Sequence, residues 1–178
     1  IQSNQNDQHG GQSIPMFDYY MAKGVIKTFR KHYKNIIKDD SNLNNTLSEE
    51  KLNLAIEKID KLKKFSQIEI LNKGYDKKIY EMALAKTDNE TYKAMVGFIH
   101  NLNTMHSRAG AQVPFSSINF GTDISEAGRM VTKNYLLALE SGLGNHETPI
   151  FPISIFKVKD GVNYNEDDVN YDLFKLAC

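Results

Sequence analysis

The second half of this sequence alternates between short apolar runs and helical patterns, and this alternation constrains the fold more than any other feature. Residues 113–120 are rich in β-forming residues, and residues 150–158 form a nearly continuous apolar run, as in a strand buried on both faces. A helical pattern capped by Ser125 separates the two runs, and Asn170 could cap one more helix. Strands joined by crossovers of this length pair in parallel. The sequence therefore predicts an α/β fold.

The N-terminal half is dominated by helical periodicity and is predicted to be helix-rich. Apolar residues recur at three- and four-residue steps, which predicts an amphipathic helix over about residues 16–38. The members of its predicted apolar face are Phe17, Tyr20, Met21, Val25, Phe29, Tyr33 and Ile36.

Further helices are predicted between residues 46 and 106. Thr46 and Glu49 have the spacing of a capping box, which predicts the start of a second helix. Residues 66–86 are predicted as helical fragments broken near Gly74, and Asn89 is predicted to cap a further helix.

Composition excludes several classes of protein. Lys plus Arg and Asp plus Glu both number 22, so no overall charge favours a nucleic-acid polymer or an anionic membrane as partner. Apolar runs stay far below the roughly 18 residues that span a bilayer, which excludes a membrane protein. The single cysteine, Cys178, excludes a disulfide framework and is typical of the reducing cytoplasm. Its favoured interpretation is a small buried apolar residue on a helix.

Positive charge is concentrated in one central stretch. Residues 23–86 carry 15 positive and 9 negative side chains, whereas the segments on either side are net negative. Both ends of the chain look cut, because it begins at Ile1 without a targeting pattern and stops inside the apolar segment 173–178. We therefore expect an excised piece of a longer protein.

A glycine pair precedes the first predicted helix, in the loop formed by residues 8–13. Glycines let the backbone approach a ligand closely, and main-chain N–H groups before a helix can hold phosphates. A lone glycine pair is a weak signal, so an ordinary turn is the alternative.

Residues 107–112 join a predicted helix to a predicted strand, with small residues around Arg108 and Gln112. Such a segment can change shape at low cost, and its alternative is a helix end with a solvated arginine. Asn119 lies within the following strand. Its side chain is interpreted either as facing a ligand or as a hydrogen-bonded amide of the core.

The first helix carries Asp18, Tyr19, Lys23 and Lys27 at helical spacing, so an acceptor, a ring and two cations could meet a triphosphate. A solvated basic face is the alternative. His146 and Glu147 precede a predicted strand without positioned partners, and the histidines show no metal-ligand spacing, so no metal site is predicted.

Four blocks resemble the anaerobic, class III ribonucleoside-triphosphate reductases, in their large glycyl-radical subunit. The longest is MHSRAGAQVPFSSINFGTD at 105–123. The others are QNDQHGGQ at 5–12, GLGNHETPIFP at 142–152 and NYDLFKLAC at 170–178. They span the chain in the family's order, and residues 39–89 are the weak part of the resemblance.

The resemblance implies part of a ten-stranded α/β barrel of the glycyl-radical type. In this family a separate iron–sulfur activase, using S-adenosylmethionine, makes a glycyl radical that generates a cysteine thiyl radical. The thiyl abstracts the 3′ hydrogen of a ribonucleoside triphosphate, and formate supplies the reducing equivalents. The family also has a structural zinc site and an ATP-cone domain, which lie outside this piece.

This chain lacks the family's reacting residues. It contains no Arg-Val-Cys-Gly-Tyr-like radical site and no Met-Gly-Cys-Arg-like finger loop. By resemblance, the two active-site cysteines lie just before Ile1 and just after Cys178. No catalytic residue and no cofactor are therefore expected within residues 1–178, and the piece alone is expected to be inactive.

The resemblance assigns roles by region within a single barrel fragment. Residues 1–15 form a glycine loop facing the nucleotide, 16–106 a helical dimer and effector region, and 107–178 the specificity loop and α/β units. Implied nucleotide-binding residues are Gln5, Asn6, His9, Gly10, Gly11, Gln12 and Asn119. Implied specificity-loop residues are Ser107, Arg108, Ala109, Gly110 and Gln112. Implied effector-binding residues are Asp18, Tyr19, Lys23 and Lys27.

The sequence is compatible with two functions. The first is a fragment of an anaerobic ribonucleotide reductase, with a ribonucleoside triphosphate as substrate, deoxynucleoside triphosphates or ATP as effectors, a homodimeric parent and an activating enzyme. The second is a stand-alone, non-catalytic nucleotide-sensing or dimerisation module derived from that enzyme.

Overall fold

The computed structural model describes residues 10–39, 49–65, 75–106, 113–144 and 147–178. Along the chain the elements are β1 (Gln12–Ile14), α1 (Phe17–Asp39), α2 (Glu49–Asp60), α3 (Tyr75–Thr104), β2 (Ser116–Phe120), α4 (Glu126–Ser141), β3 (Ile153–Phe156) and α5 (Tyr171–Ala177). Residues 1–22 and 91–178 form one unit, and residues 23–90 form a second. The first unit contains all three of these strands.

The strands form a parallel sheet in the order β1-β2-β3. Ser13 pairs with Ser117, which in turn pairs with Ile153 on the other side. Neighbouring strands in space are thus successive strands in the chain. The predicted α/β class and the parallel pairing are confirmed.

The core of the first unit lies between the sheet and α4. Tyr135, from α4, makes edge-to-face contacts with Phe120 of β2 at 4.9 Å and with Phe17 of α1 at 5.9 Å between ring centroids. Phe17 also stacks on Phe98 at 5.3 Å. Val131 and Tyr135 are both fully buried. Aromatic pairs of this kind add about 0.5–1.5 kcal/mol each beyond their buried area.

The second unit is held together by an aromatic cluster around Phe29. Its ring lies 4.8 Å from Phe65, 5.8 Å from Tyr80 and 5.9 Å from Tyr33. Ile59 of α2 is buried in the same unit. Most of the apolar periodicity of α1 therefore serves packing, as the sequence predicts.

The first turns of α1 depart from the predicted apolar face. Tyr20 and Met21 are exposed, while Asp18 and Ala22 are buried. The predicted apolar face is therefore correct at Phe17 and from Val25 onward, and wrong at Tyr20 and Met21.

Residues 75–104 form one continuous helix, so the prediction that Asn89 begins a new helix is wrong. Asn89 is an exposed residue in the middle of α3. Thr87 beside it is buried, and its Oγ1 donates to the carbonyl of Ala83 at 2.7 Å. The hydroxyl thus finds its partner within the helix, and the buried residues Ala83, Thr87 and Thr91 continue one packed face through this polar stretch. The capping box at Thr46 and the break near Gly74 lie outside the described residues.

The strand at 153–156 is not buried on both faces, which corrects the interpretation of its apolar run. Ile153 and Ile155 are 43% and 42% exposed. Their exposure follows from the position of the strand. β3 is an edge strand of the described sheet, and one of its faces is left largely uncovered. The strands are also shorter than predicted, since β2 begins at Ser116 and β3 spans only Ile153–Phe156.

The ends of α4 agree with the sequence. Ser125 is the N-cap, and its Oγ accepts a hydrogen bond from the Gly128 N–H. Gly142 ends the helix with φ 70°. Asn170 precedes α5, but its side chain makes no capping bond and is used elsewhere. Cys178 lies just beyond α5 and is exposed, which corrects its interpretation as a buried core residue.

In the part of the chain that the structure describes, none of the helices is both long and apolar enough to cross a membrane.

Candidate functional site

One face of the sheet is packed and the other is largely open. Because successive side chains in a strand point to opposite faces, Ile118 and Phe120 share the packed face and are almost fully buried. The pairing register places five side chains, all partly or largely exposed, on the other face, which we call the open face. They are Ser13, Ser117, Asn119, Ile153 and Ile155.

The open face offers both hydrogen-bonding groups and apolar surface. The Nδ2 of Asn119 lies 3.5 Å from Ser13 Oγ across the β1–β2 pair. At this length the contact is weak, so both groups can turn to a ligand at little cost. Ile153 and Ile155 lie beside them on β3. Such a surface can orient a polar molecule and exclude water from one side of it.

The two glycines before β1 have different surroundings. Gly10 has φ +79° and open space where a Cβ would stand. A Cβ on Gly11 would lie 3.4 Å from the Phe115 ring, and the neighbouring Gln12 N–H donates to the Phe115 carbonyl at 3.0 Å. Gly11 therefore serves close packing of the chain against itself, while Gly10 keeps the open backbone expected of a ligand loop. Gln5, Asn6 and His9 lie outside the described residues.

Asp18 is turned inward, which is at odds with the effector contact predicted for it. Its side chain is 0% exposed. Oδ2 accepts hydrogen bonds from the N–H groups of Gly121 at 2.9 Å and Asp123 at 3.0 Å, and Oδ1 accepts from Tyr19 at 3.0 Å. The carboxylate is thus committed to the protein's own main chain.

Tyr19, Lys23 and Lys27 are exposed on α1, as their predicted role requires. The Tyr19 ring makes an edge-to-face contact with Tyr20 at 5.6 Å. Their role in effector binding stays a prediction. The predicted specificity-loop residues Ser107, Arg108, Ala109, Gly110 and Gln112 lie outside the described residues.

The turn that follows β2 is held by buried asparagines. Asn163 Nδ2 donates to the Gly121 carbonyl at 2.9 Å, and Asn170 Nδ2 donates to the same carbonyl at 3.2 Å and to that of Asp123 at 3.0 Å. Both asparagines are fully buried. Gly121 has φ +106°, and a Cβ there would lie 2.9 Å from the Phe156 ring. This position therefore requires glycine for both conformation and space.

Arg129 fastens the start of α5 to α4. It donates to the Val169 carbonyl, to Asn170 Oδ1 at 2.7 Å and to Asp172 Oδ2 at 2.7 Å. Burial alone would raise the pKa of Asp172, but the hydrogen bond and positive charge of Arg129 outweigh it and lower that pKa below its ordinary value.

Tyr135 connects the packed face to β3. Its hydroxyl lies 2.5 Å from Ser154 Oγ, which also lies 3.2 Å from the Pro152 carbonyl. Burial raises the pKa of Tyr135 to about 12, although the Ser154 hydrogen bond works in the opposite direction. Tyr135 is therefore a neutral structural hydroxyl at physiological pH, rather than an acid–base group.

Sequence reasoning missed three asparagines as structural side chains: the partly exposed Asn103 and the buried Asn163 and Asn170. Asparagine is common in exposed turns, so its presence in a loop does not indicate burial.

Glu147 is exposed. Among the described side chains, no three His, Cys, Asp or Glu residues are grouped so that they could hold a metal ion.

These features define an α/β unit with a parallel sheet. One face of this sheet is exposed to solvent and carries both polar and apolar side chains. The family model described as anaerobic ribonucleoside-triphosphate reductase matches the whole chain, residues 1–178. The chain therefore belongs to the anaerobic ribonucleoside-triphosphate reductase family, as its sequence blocks indicate.

Curated relatives of this chain carry the same name as the matching family. Proteins named anaerobic ribonucleoside-triphosphate reductase from Enterobacteria phage T4, Haemophilus influenzae (strain Rd) and Escherichia coli (strain K12) are 41%, 38% and 35% identical to this chain over 96 residues. Each match covers 53% of this chain and 16%, 13% and 13% of the respective relative. The chain thus spans only a small part of the length of the relatives it matches.

Proposed function

We propose that this chain is part of an anaerobic ribonucleotide reductase that converts ribonucleoside triphosphates to deoxyribonucleoside triphosphates. In this proposal it supplies part of the wall against which the nucleotide lies, and the radical residues belong to other parts of the parent protein. The single observation that supports the proposal is the open face, where Asn119 of β2 lies beside Ser13 of β1, the strand that follows the glycine pair.

The residues of the open face would bind and orient rather than react. Asn119 offers a donor and an acceptor, and Ser13 offers a hydroxyl, so both can hydrogen-bond the hydroxyls of a ribose. Ile153 and Ile155 would shield one side of the sugar from water. A radical intermediate needs this protection, because closing a site against water prevents side reactions.

We propose further features for the parent protein. There the three described strands would belong to the ten-stranded barrel, and the parent would act as a cytoplasmic homodimer. Tyr19, Lys23 and Lys27 would contact an effector, while Arg108 and Gln112 would relay its identity to the substrate. The glycyl radical, its activating enzyme, formate and the structural zinc would all be supplied outside this chain.

The test is turnover by the full-length activated protein under anaerobic conditions, with formate and each ribonucleoside triphosphate. Asn119→Ala removes one hydrogen-bonding group from the open face. Since a hydrogen bond contributes about 0.5–1.5 kcal/mol, we expect kcat/KM to fall roughly two- to tenfold. Asn101→Ala, an asparagine exposed on α3, is the matched control and should keep the wild-type value. Equal kcat/KM for the two variants would refute the role of the open face.

The second candidate, a non-catalytic nucleotide sensor, makes a different prediction. A sensor would be stabilised by nucleotides without turning them over. A thermal-shift titration with the four deoxynucleoside triphosphates measures this, because stabilisation grows with the ratio of ligand concentration to Kd. Stabilisation by nucleotide together with no product from the full-length protein would favour the sensor.

A further inference from the structure

We propose that Asp18 is a positioning residue of the nucleotide site, which holds the segment after β1 against the turn after β2. This inference rests on the proposed function, since it concerns the same open face. It assigns Asp18 an indirect role, through Asn119 and the strand that follows the glycine loop, instead of contact with a ligand.

The position of Asp18 in the fold makes such a role possible. In a parallel sheet the carboxyl ends of the strands lie at one edge, where ligands of α/β proteins bind. β1 ends at Ile14 and β2 at Phe120, so their following segments both leave from this edge. Asp18, in the first turn of α1, spans the two segments by bonding the N–H groups of Gly121 and Asp123.

A buried carboxylate is expensive, which argues that the position is specific. The contacts described for Asp18 are with main-chain N–H groups and not with a cation. Removing a charge from water is tolerated only when hydrogen bonds compensate it. Three N–H donors, together with the positive end of the α1 dipole, provide that compensation here.

The partner of Asp18 is a rigid frame. The Gly121 carbonyl accepts amide hydrogens from Asn163 and Asn170, and the Phe156 ring occupies the space beside its Cα. Asn119 lies two residues before Gly121. Asp18 therefore connects the short, three-residue β1 to a fixed point close to Asn119. Without the Asp18 carboxylate, β1 would lose this attachment, while the turn after β2 would stay in place.

The test compares variants of the full-length activated enzyme by steady-state kinetics. Asp18→Asn keeps the size of the side chain but replaces one acceptor oxygen with an amide that faces N–H donors. Small displacements of binding groups are costly, so we expect KM for the ribonucleoside triphosphate to rise about tenfold, with kcat within about twofold of wild type. Asp18→Glu keeps the acceptors on a longer side chain and should give a smaller rise in KM.

A stability control separates positioning from general destabilisation. Ile99→Ala creates a cavity in the same unit, at a fully buried residue that is not part of the open face. It should lower Tm while leaving KM within about twofold of wild type. Wild-type KM in both Asp18 variants, or an equal KM rise in Ile99→Ala, would overturn the inference.

Asp18→Glu also serves if Asp18→Asn does not fold, because it keeps the buried charge and its acceptors. A wild-type enzyme that forms no deoxyribonucleotide would instead refute the proposed function. The two failures are therefore distinguishable.

Discussion

The side-chain amide of Asn103 is paired with the main chain of Phe151 through both its donor and its acceptor. Nδ2 donates to the Phe151 carbonyl at 2.6 Å, and Oδ1 accepts from the Phe151 N–H at 3.0 Å. The same oxygen accepts from Ile150 at 2.9 Å, and Nδ2 also donates to Ile99 at 2.7 Å. All four hydrogen-bonding positions of the amide are thus used. Asn103 acts as a substitute strand partner that joins the end of α3 to the approach to β3.

Replacing Asn103 by alanine should destabilise the protein more than is usual for the substitution of a partly exposed polar residue. Asn103→Ala leaves three main-chain groups of residues 150–151 without this partner, so we expect the free energy of unfolding to fall by about 2–3 kcal/mol. Urea denaturation measures the change. Asn101→Ala, at an exposed site on the same helix, should stay within about 0.5 kcal/mol of wild type. Equal stabilities of the two variants would contradict the structural role of Asn103.

Gly121 should tolerate no side chain. Gly121→Ala places a Cβ 2.9 Å from the Phe156 ring at a residue with φ +106°, so both sterics and backbone conformation oppose it. We expect a loss of about 2–4 kcal/mol in the free energy of unfolding. Gly97→Ala is the opposite case, since its Cβ would meet nothing within 4 Å inside α3, and it should stabilise by about 0.5–1 kcal/mol. Chemical denaturation would contradict the prediction if the two alanines changed stability in the same direction.

Tyr135 should make stability depend on pH on the alkaline side. Its pKa is raised from 10.0 to about 12 in the folded protein, so the unfolded chain loses this proton first as the pH rises. The stabilising contribution of the neutral hydroxyl is therefore complete below pH about 10 and is lost as the pH approaches 12.

Tyr135→Phe should lower the free energy of unfolding by about 1 kcal/mol at pH 7, because the Ser154 hydrogen bond is lost. The difference from wild type should then shrink between pH 10 and 12. Urea denaturation across this range tests both statements, and Tyr164→Phe, at an exposed tyrosine, controls for other tyrosines. A constant difference across the range would show that the hydroxyl titrates normally.

The sequence predicted the features that depend on short-range preferences of single residues or on the order of elements. The Ser125 cap and the Gly142 helix end follow from short-range preferences of serine and glycine, and both are present. The parallel pairing follows from the order and spacing of elements, which needs no knowledge of individual contacts. Helical periodicity likewise predicted the packing of Phe29 and Tyr33.

Tertiary surroundings decided the features that the sequence did not predict. Asp18 has the charge of a surface residue, and only the arrival of Gly121 and Asp123 from over a hundred residues away makes its burial favourable. Asn89 resembles a cap, but the burial of Thr87 and Thr91 on either side of it keeps α3 packed and continuous there. The apolar run that contains Ile153 suggested complete burial, although a run of apolar letters does not reveal that its strand lies at an edge.

The two asparagines that share the Gly121 carbonyl also mark where this chain can be modified. Residues 164–167 run between Asn163 and Asn170 and are exposed, and Asp168 closes them into a local turn by accepting from the N–H groups of Tyr164 and Asn165. Because both flanks are held at Gly121 and the turn itself is exposed, a fluorophore or affinity tag inserted at this turn would lie outside the sheet. Such a label would leave the strands of the sheet undisturbed, and under the proposed function it would report on nucleotide binding.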